Sequence, residues 1–260
     1  MRIDEDVLPE FRQLSQSFNQ MLERLNNAFA AQRQFTGNAA HELRTPLALM
    51  QAQLELFSAE HLDVRPETAE FLTLLREQTE RLTQMTKTLL EMRNLQQVAR
   101  NEQLQLAPMV EEIFTDLAPL AEKRSITLEA EGDAALTGSD ALIYRMLFNL
   151  TENAVKYNRL GGSVRVELAQ GQEKCIIRVS DTGCGIPEEY QRSIFHPFFR
   201  VDKSRSREYG GAGLGLSLVW EIADLHGGSV WVEESSDNGT TIAVELPAGA
   251  ENDSLSVDIP

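Results

Sequence analysis

His41, Glu42 and Thr45 fall within one short stretch, His41-Glu42-Leu43-Arg44-Thr45-Pro46-Leu47. Around it Phe35, Ala39, Leu43, Leu47, Met50, Leu54 and Phe57 recur three or four residues apart, the spacing of one buried helical stripe. At ~100° per residue, His41 lies about 200° from both Ala39 and Leu43, so it should face solvent. Thr45 is one turn along on the same face. Glu42 can accept a proton from one imidazole nitrogen, which leaves the other unprotonated and nucleophilic. Pro46 cannot donate to the Glu42 carbonyl and crowds it, so a bend is expected just below His41. An exposed helical histidine is ordinarily a solvated surface residue; the adjacent acid and the intrahelical proline set this one apart.

A second group of residues suits phosphate and metal chemistry. Asn149, Asn153, Lys156 and Tyr157 follow at spacings of four, three and one, and the first three share a helix face. An Asn amide oxygen is a neutral hard ligand suited to Mg²⁺, Lys156 can neutralise phosphate charge, and Tyr157 offers a ring and a hydroxyl. Asp181-Thr182-Gly183-Cys184-Gly185 follows a strand, where Gly183 and Gly185 permit tight turns and close backbone approach. A carboxylate there can accept a hydrogen bond from the exocyclic amine of adenine. Gly210-Gly211-Ala212-Gly213-Leu214-Gly215-Leu216 opens a helix, whose bare amides and positive end suit phosphate. It has neither the P-loop nor the Rossmann spacing. Between these loops, Arg200, Lys203, Arg205 and Arg207 crowd into a Gly-bounded segment of an acidic half-chain, as a mobile lid over triphosphate would require. Arg200 and Arg205 are the expected phosphate contacts, and His196 reads as packing. Taken singly, each loop also reads as an ordinary turn.

The elements that must position these residues divide in two. Phe11, Leu14, Phe18, Met21, Leu25 and Ala28 form a narrow a/d seam, which predicts a parallel pair of helices. The spacing then slips to four, four, four from Phe35 to Leu47, a stutter that locally unwinds a coiled coil. One long helix is expected from about Pro9 to Ser58, a turn from Ala59 to Arg65, and a second helix from Pro66 to about Val98. Phe71, Leu75, Gln78, Leu82, Met85, Leu89 and Met92 are its apolar line. Such a hairpin leaves a hydrophobic face exposed, and pairing two of them makes a dimeric four-helix bundle. A polar hinge, 99–103, leads into mixed α/β texture. Strands are expected at Leu104–Leu106, Ile126–Ala130, Ala135–Thr137, Ser163–Ala169, Lys174–Ser180, Ser229–Glu234 and Thr240–Leu246, and helices at Pro108–Lys123, from Ser139 or Asp140 to Tyr157, and at Gly213–His226. Residues 248–260 read as a disordered tail.

At 260 residues the chain is long enough for two domains, and 42% hydrophobic content supports sizeable cores. The net charge of −16 is uneven: residues 1–100 hold 11 basic and 14 acidic side chains, residues 101–260 hold 13 and 26. That balance repels nucleic acid and anionic membrane surfaces. Cys175 and Cys184 have no metal-ligand spacing, which reads as a reducing compartment without a disulfide framework. No apolar run reaches the ~20 residues of a membrane span. The helix that opens almost at Met1 reads as the cytoplasmic part of a longer inner- or plasma-membrane protein, attached only through a segment absent from this chain.

The stretch from His41 to Leu47 resembles the phospho-acceptor box of bacterial sensor histidine kinases. The Asn149–Tyr157 box, the D-x-G-x-G loop, the Phe-rich segment and the G-x-G-L-G-L loop occur in the order found in that family's ATP-binding domain, of the group shared with gyrase B, Hsp90 and MutL. The first helix resembles, more distantly, the end of a HAMP linker. The resemblance implies a linker over 1–33, a dimerisation and phospho-acceptor domain over 34–98, and an α/β sandwich ATP-binding domain over 103–247. It also implies ATP and Mg²⁺ as cofactors, a homodimer, and a response-regulator receiver domain as partner. By the same match His41 is phosphorylated with Glu42 assisting, and Thr45 helps remove phosphate from the partner. Asn153 holds Mg²⁺, Asp181 reads adenine, and Tyr157 lies by the base. Gly211, Gly213 and Gly215, with Leu214 and Leu216, form the phosphate loop, and Thr240 joins the nucleotide contacts. Asn149 stands where hydrolysing relatives carry a catalytic Glu, which fits transfer to His rather than to water. Ala212 departs from the Thr common there.

Overall fold

The computed structural model describes residue 40 and residues 42–59, 65–201 and 213–248. The chain divides into two units, Met1–Arg93 and Asn94–Pro260. His41, Arg205, Gly211, the seam before residue 33, the stutter and the tail beyond residue 248 lie outside the described residues.

Among the described residues the first unit holds a pair of helices, α1 over 42–59 and α2 over Pro66–Asn94. Pro66 opens α2 as expected of a residue whose missing N–H would have no intrahelical partner. Of the predicted stripe on α1, Leu47 is buried (6% exposed) while Leu43 and Met50 are about half exposed, at 51% and 52%. On α2 Phe71, Leu75 and Leu82 are likewise exposed, as expected of the face that one hairpin leaves uncovered, and Thr79, Thr86, Thr88 and Leu90 are buried. The threonines manage burial by turning their hydroxyls onto their own helix. Thr79 donates to the Leu75 carbonyl at 2.8 Å and Thr86 to that of Thr83 at 2.8 Å. Met50, Leu54 and Phe57 of α1 line a shallow recess with Leu72, Leu75 and Thr79 of α2. Two helices cover only one side of each other, so the remaining apolar side chains stay at the surface. The second helix ends four residues before the expected Val98, in a short 3₁₀ turn at Leu95–Gln97.

The second unit is an α/β sandwich. Its sheet has the order β2-β4-β5-β7-β6, with β2 (Thr127–Asp133) parallel to β4 (Ser163–Gln170) and every other pair antiparallel. β4 and β5 (Lys174–Asp181) form the expected hairpin, closed by the Gly171 N–H donating to the Lys174 carbonyl. β6 (Ser229–Ser236) and β7 (Gly239–Pro247) complete the sheet. Alternation along the strands puts Val164, Val166, Leu168, Cys175, Ile177, Val179, Val244 and Leu246 in the core. The opposite face carries charged pairs such as Arg165–Glu129 and Arg178–Glu233. Helices α3 (Leu106–Glu122), α4 (Asp140–Lys156) and α5 (Gly215–Leu225) bring Leu106, Ile113, Ile143, Met146, Leu150, Leu218 and Ile222 into that core, each at most 2% exposed.

Two expectations change here. The strand expected at Leu104–Leu106 starts two residues earlier, inside the polar run taken as a hinge: β1 is Glu102–Gln105 and pairs with β3 (Ala135–Gly138) in a separate two-stranded ribbon. Leu104 faces Leu136 across it and both are buried, so one apolar side chain suffices to hold an otherwise polar strand. The helix expected to open at Pro108 opens at Leu106, because proline is tolerated throughout the first turn, where amides lack intrahelical partners.

Candidate functional site

Helix α4 carries Asn149, Asn153 and Lys156, and Tyr157 is its C-cap. The Asn149 amide donates to the Arg145 carbonyl at 2.7 Å, which fixes the orientation of the side chain. Its oxygen lies against the start of α5: a methyl added at Gly215 would come within 2.9 Å of Asn149 Oδ1 and 3.7 Å of Asn153 Nδ2. The asparagine face of α4 therefore meets the amino end of α5, which no side chain caps. The combination puts the Asn149 amide oxygen, with the Asn153 amide next to it, beside a positive helix end. Among the described residues no three His, Cys, Asp or Glu side chains cluster as a metal cage. An amide oxygen on this face is the kind of donor Mg²⁺ accepts, since that ion takes one or two protein oxygens and completes its shell with phosphate and water.

Lys156 does not stand open to a phosphate. Its ammonium pairs with Glu152 one turn back at 2.8 Å, so an anion has to compete for it.

Asp181 ends β5, beside the end of α4. Its Oδ1 accepts the Gly183 N–H at 2.7 Å and the Thr240 N–H at 3.3 Å. Burial raises its pKa from 3.8 to about 6, against the two amides, which favour the carboxylate. Gly183 is wedged between Asp181 and the Tyr157 carbonyl; a Cβ there would lie 2.7 Å from the carboxylate and within hard contact of that carbonyl. Gly185 has φ +70° and abuts the Ser236 carbonyl, so it serves the loop's path. Thr240 is buried, its hydroxyl 3.0 Å from that of Ser235. It supports Asp181 through its amide. Tyr157 is 40% exposed, its ring at the surface of this corner.

Gly213 precedes α5 rather than opening it. Its φ of +70° and its closeness to the Phe198–Phe199 backbone explain the glycine, and its carbonyl accepts the Phe198 N–H at 2.8 Å. The Phe-rich segment is therefore tied to the end of the glycine loop. Leu214 is fully buried, so its side chain is core and only its backbone could meet a ligand; Leu216 is half-buried. Arg200 is also half-buried, and His196, expected to pack, is exposed because its 3₁₀ turn ends there. In the other unit Glu42 and Thr45 are exposed on α1. Cys175 is buried and Cys184 exposed, both as free thiols.

Three structural residues of the unit had no role in the sequence reading, which placed His226 only at a helix end. Asn158, two residues past α4, is buried with its side chain bonded to Ser163 and Thr182. Ser235 accepts the Ile186 N–H at 2.7 Å. His226 caps α5, and its Nε2 accepts the Ser139 N–H at the start of α4 while Nδ1 lies 2.8 Å from the Ile222 carbonyl. That carbonyl needs a donor, so the proton sits on Nδ1 and the ring is neutral. Burial lowers its pKa, with Arg100 adding to the effect. A polar residue just after a helix was the only signal for Asn158.

Two family models match in tandem. Residues 31–98 match the His Kinase A (phospho-acceptor) domain, and residues 138–250 the histidine kinase-, DNA gyrase B- and HSP90-like ATPase. The sensor histidine kinase RppB of Synechocystis is 35% identical over 226 residues, 85% of this chain and 50% of that protein. The sensor protein IrlS of Burkholderia pseudomallei is 32% identical over 250 residues, 94% of this chain and 53% of its own. The chain thus spans about half the length of the curated relatives it matches. Full-length ShkA in complex with AMPPNP superposes with a TM-score of 0.66 over 84% of this chain and 46% of its own, at 22% identity, a likeness of fold. The catalytic domain of the histidine kinase ThkA gives 0.51 over 58% of this chain and 97% of its own, at 28% identity. With both domains present in sequence and the ATPase fold behind them, the chain belongs to the two-component sensor histidine kinases.

Proposed function

We propose that this chain transfers the γ-phosphoryl of ATP to His41 and that the phosphoryl then passes to an aspartate of a response-regulator receiver domain. The observation that carries the reading is one corner of the α/β unit. There the Asp181 carboxylate, the Gly183 backbone and the end of α4 converge, while the Asn149–Asn153 face of α4 meets the start of α5. Such a corner can take a purine at one end and phosphates at the other. Asp181 accepts the exocyclic amine, the open backbone at Gly183 lets the base approach, and the α5 amides take phosphate charge. Asn153 holds Mg²⁺, which shields the phosphate charge when bound. Arg200 and Arg205 add cationic charge from the lid.

The attacking atom is the unprotonated ring nitrogen of His41. Its lone pair forms the N–P bond in line as the bond from the γ-phosphorus to the bridging oxygen breaks and ADP leaves. Glu42 takes the proton from the other ring nitrogen. Asn149 cannot act as a general base, which favours transfer to His41 over transfer to water. Thr45 orients a water in the reverse task, dephosphorylation of the regulator. The exposed apolar side chains of α1 and α2 support a homodimer built on residues 34–98, with the ATP-binding domain over 103–247. The cytoplasmic side of a membrane, reached through a segment beyond this chain, is the matching location.

Incubation with γ-labelled ATP tests the reading. Label on the protein, lost in His41→Gln, is the expected result. Label released as free phosphate would favour a gyrase- or chaperone-type ATPase. Neither outcome with ADP still bound would make the chain a nucleotide-binding scaffold. Sedimentation of the full chain as a monomer at micromolar concentration would remove the dimer.

A further inference from the structure

The two residues that line the base end of the corner, Tyr157 and Asp181, are each followed by a residue of one hydrogen-bonded unit. Asn158 follows Tyr157 and Thr182 follows Asp181. The Thr182 hydroxyl accepts the Ser163 N–H at 2.9 Å, so its own proton is directed to Asn158 Oδ1 at 3.0 Å. The same Oδ1 accepts the Arg159 N–H at 2.9 Å, and the Asn158 amide donates to the Ser163 carbonyl at 2.9 Å. Arg124 holds the Asn158 carbonyl at 2.7 Å and the Thr182 N–H returns to the Ser163 carbonyl at 3.2 Å. Every donor and acceptor direction is set, because Thr182 can serve both partners only one way and that choice fixes the Asn158 amide. Asn158 is 5% exposed, so water cannot substitute freely for its partners.

We propose that Asn158 and Thr182 are positioning residues that hold the Tyr157 and Asp181 ends at the separation at which the carboxylate discriminates adenine from other purines. Three observations support a spacing role over simple loop stability. The unit joins α4 to β5, the two elements whose tips line the base end. Gly183, directly after Thr182, fills the gap between the Tyr157 carbonyl and the Asp181 carboxylate, so any slip of Thr182 changes that gap. Gly162 leaves no slack, since a methyl there would press on Asn158 Oδ1 and lie 2.5 Å from the Thr182 hydroxyl oxygen. A hydrogen bond to a charged acceptor depends steeply on distance and angle, so a small widening costs selectivity before it costs binding.

The inference rests on the proposed base site at Asp181, and the test separates the two. The full chain is titrated with ADP and with IDP, whose carbonyl at the same ring position offers the carboxylate an acceptor instead of a donor. The readout is the ratio of the two dissociation constants. Thr182→Val removes the hydroxyl. Gly162→Ala wedges the unit without removing any polar group, and covers the case in which the valine variant does not fold. Each is expected to lower the ADP preference about tenfold or more, while Thr182→Ser keeps it within about twofold. Asp181→Asn, as the reference, should collapse the preference. If that reference collapses but Thr182→Val and Gly162→Ala weaken ADP and IDP equally, or change neither, the positioning role is overturned and the base site stands. If Asp181→Asn leaves the ratio intact, the base site falls and the positioning role with it.

Discussion

Replacing Asp181 by Asn should stabilise the unliganded protein at neutral pH while weakening its hold on adenine nucleotides. The pKa of this buried carboxyl is raised from 3.8 to about 6, so the folded chain binds more protons than the unfolded chain between those values. The stability it contributes is therefore fully present below pH 3.8 and lost as pH rises through about 6. A shift of about two units corresponds to ~3 kcal/mol, an upper figure because solvent reaches part of the carboxylate. Asn is neutral at every pH and keeps an oxygen for the Gly183 and Thr240 amides. At pH 7.5 the variant should gain about 1–3 kcal/mol, and the gain should shrink toward zero by pH 4. Both tryptophans of the chain, Trp220 and Trp231, lie in the α/β unit, so their fluorescence during urea unfolding reports that unit selectively. ADP titration of the same samples should show affinity falling by about tenfold or more, because a charged acceptor is lost. A variant less stable than wild type at pH 7.5, or a gain independent of pH, would refute the assignment of the penalty to the buried charge. A stability gain with ADP affinity unchanged would instead remove Asp181 from the base site.

Gly183→Ala should abolish measurable ADP binding, since its methyl would collide with the Tyr157 carbonyl; retention of affinity within about twofold would show that the corner relaxes. His226→Ala should cost the α/β unit about 1–3 kcal/mol in the tryptophan unfolding assay, because the Ser139 N–H loses its acceptor at a site 1% exposed. The wild-type contribution of His226 runs opposite to that of Asp181: its depressed pKa makes it fully present above about pH 6.5 and lost as pH falls, so a variant whose deficit persists unchanged at pH 5 would falsify the neutral-ring account. Thr45→Ala should leave autophosphorylation near normal while slowing dephosphorylation of the regulator about tenfold or more, ~1.4 kcal/mol of barrier. Equal decay of phosphorylated regulator with either kinase would exclude the threonine from that role.

What could be read from the chain alone is what depends on local spacing. The asparagines of α4 share a face because 3.6 residues make a turn, and the β4–β5 hairpin follows from alternation on either side of Gly171. The order of the motifs and the two-part architecture were legible for the same reason. Where a side chain's environment is set by residues distant in sequence, the reading failed or was silent. The buried threonines of α2 went unremarked, because which face of the helix is covered depends on α1, while their hydroxyls bond to carbonyls in the preceding turn of their own helix. The strand expected at Leu104–Leu106 begins two residues earlier, in the polar run that looked like a hinge, because β3, some thirty residues on, supplies its partner from Glu102 onward. Leu214 belongs to the phosphate loop in sequence and to the core in space. Asn158 and Thr182 were invisible as a pair because 24 residues separate them. Local periodicity is written residue by residue, whereas the partner of a buried polar group is chosen only when the strands and helices close on one another.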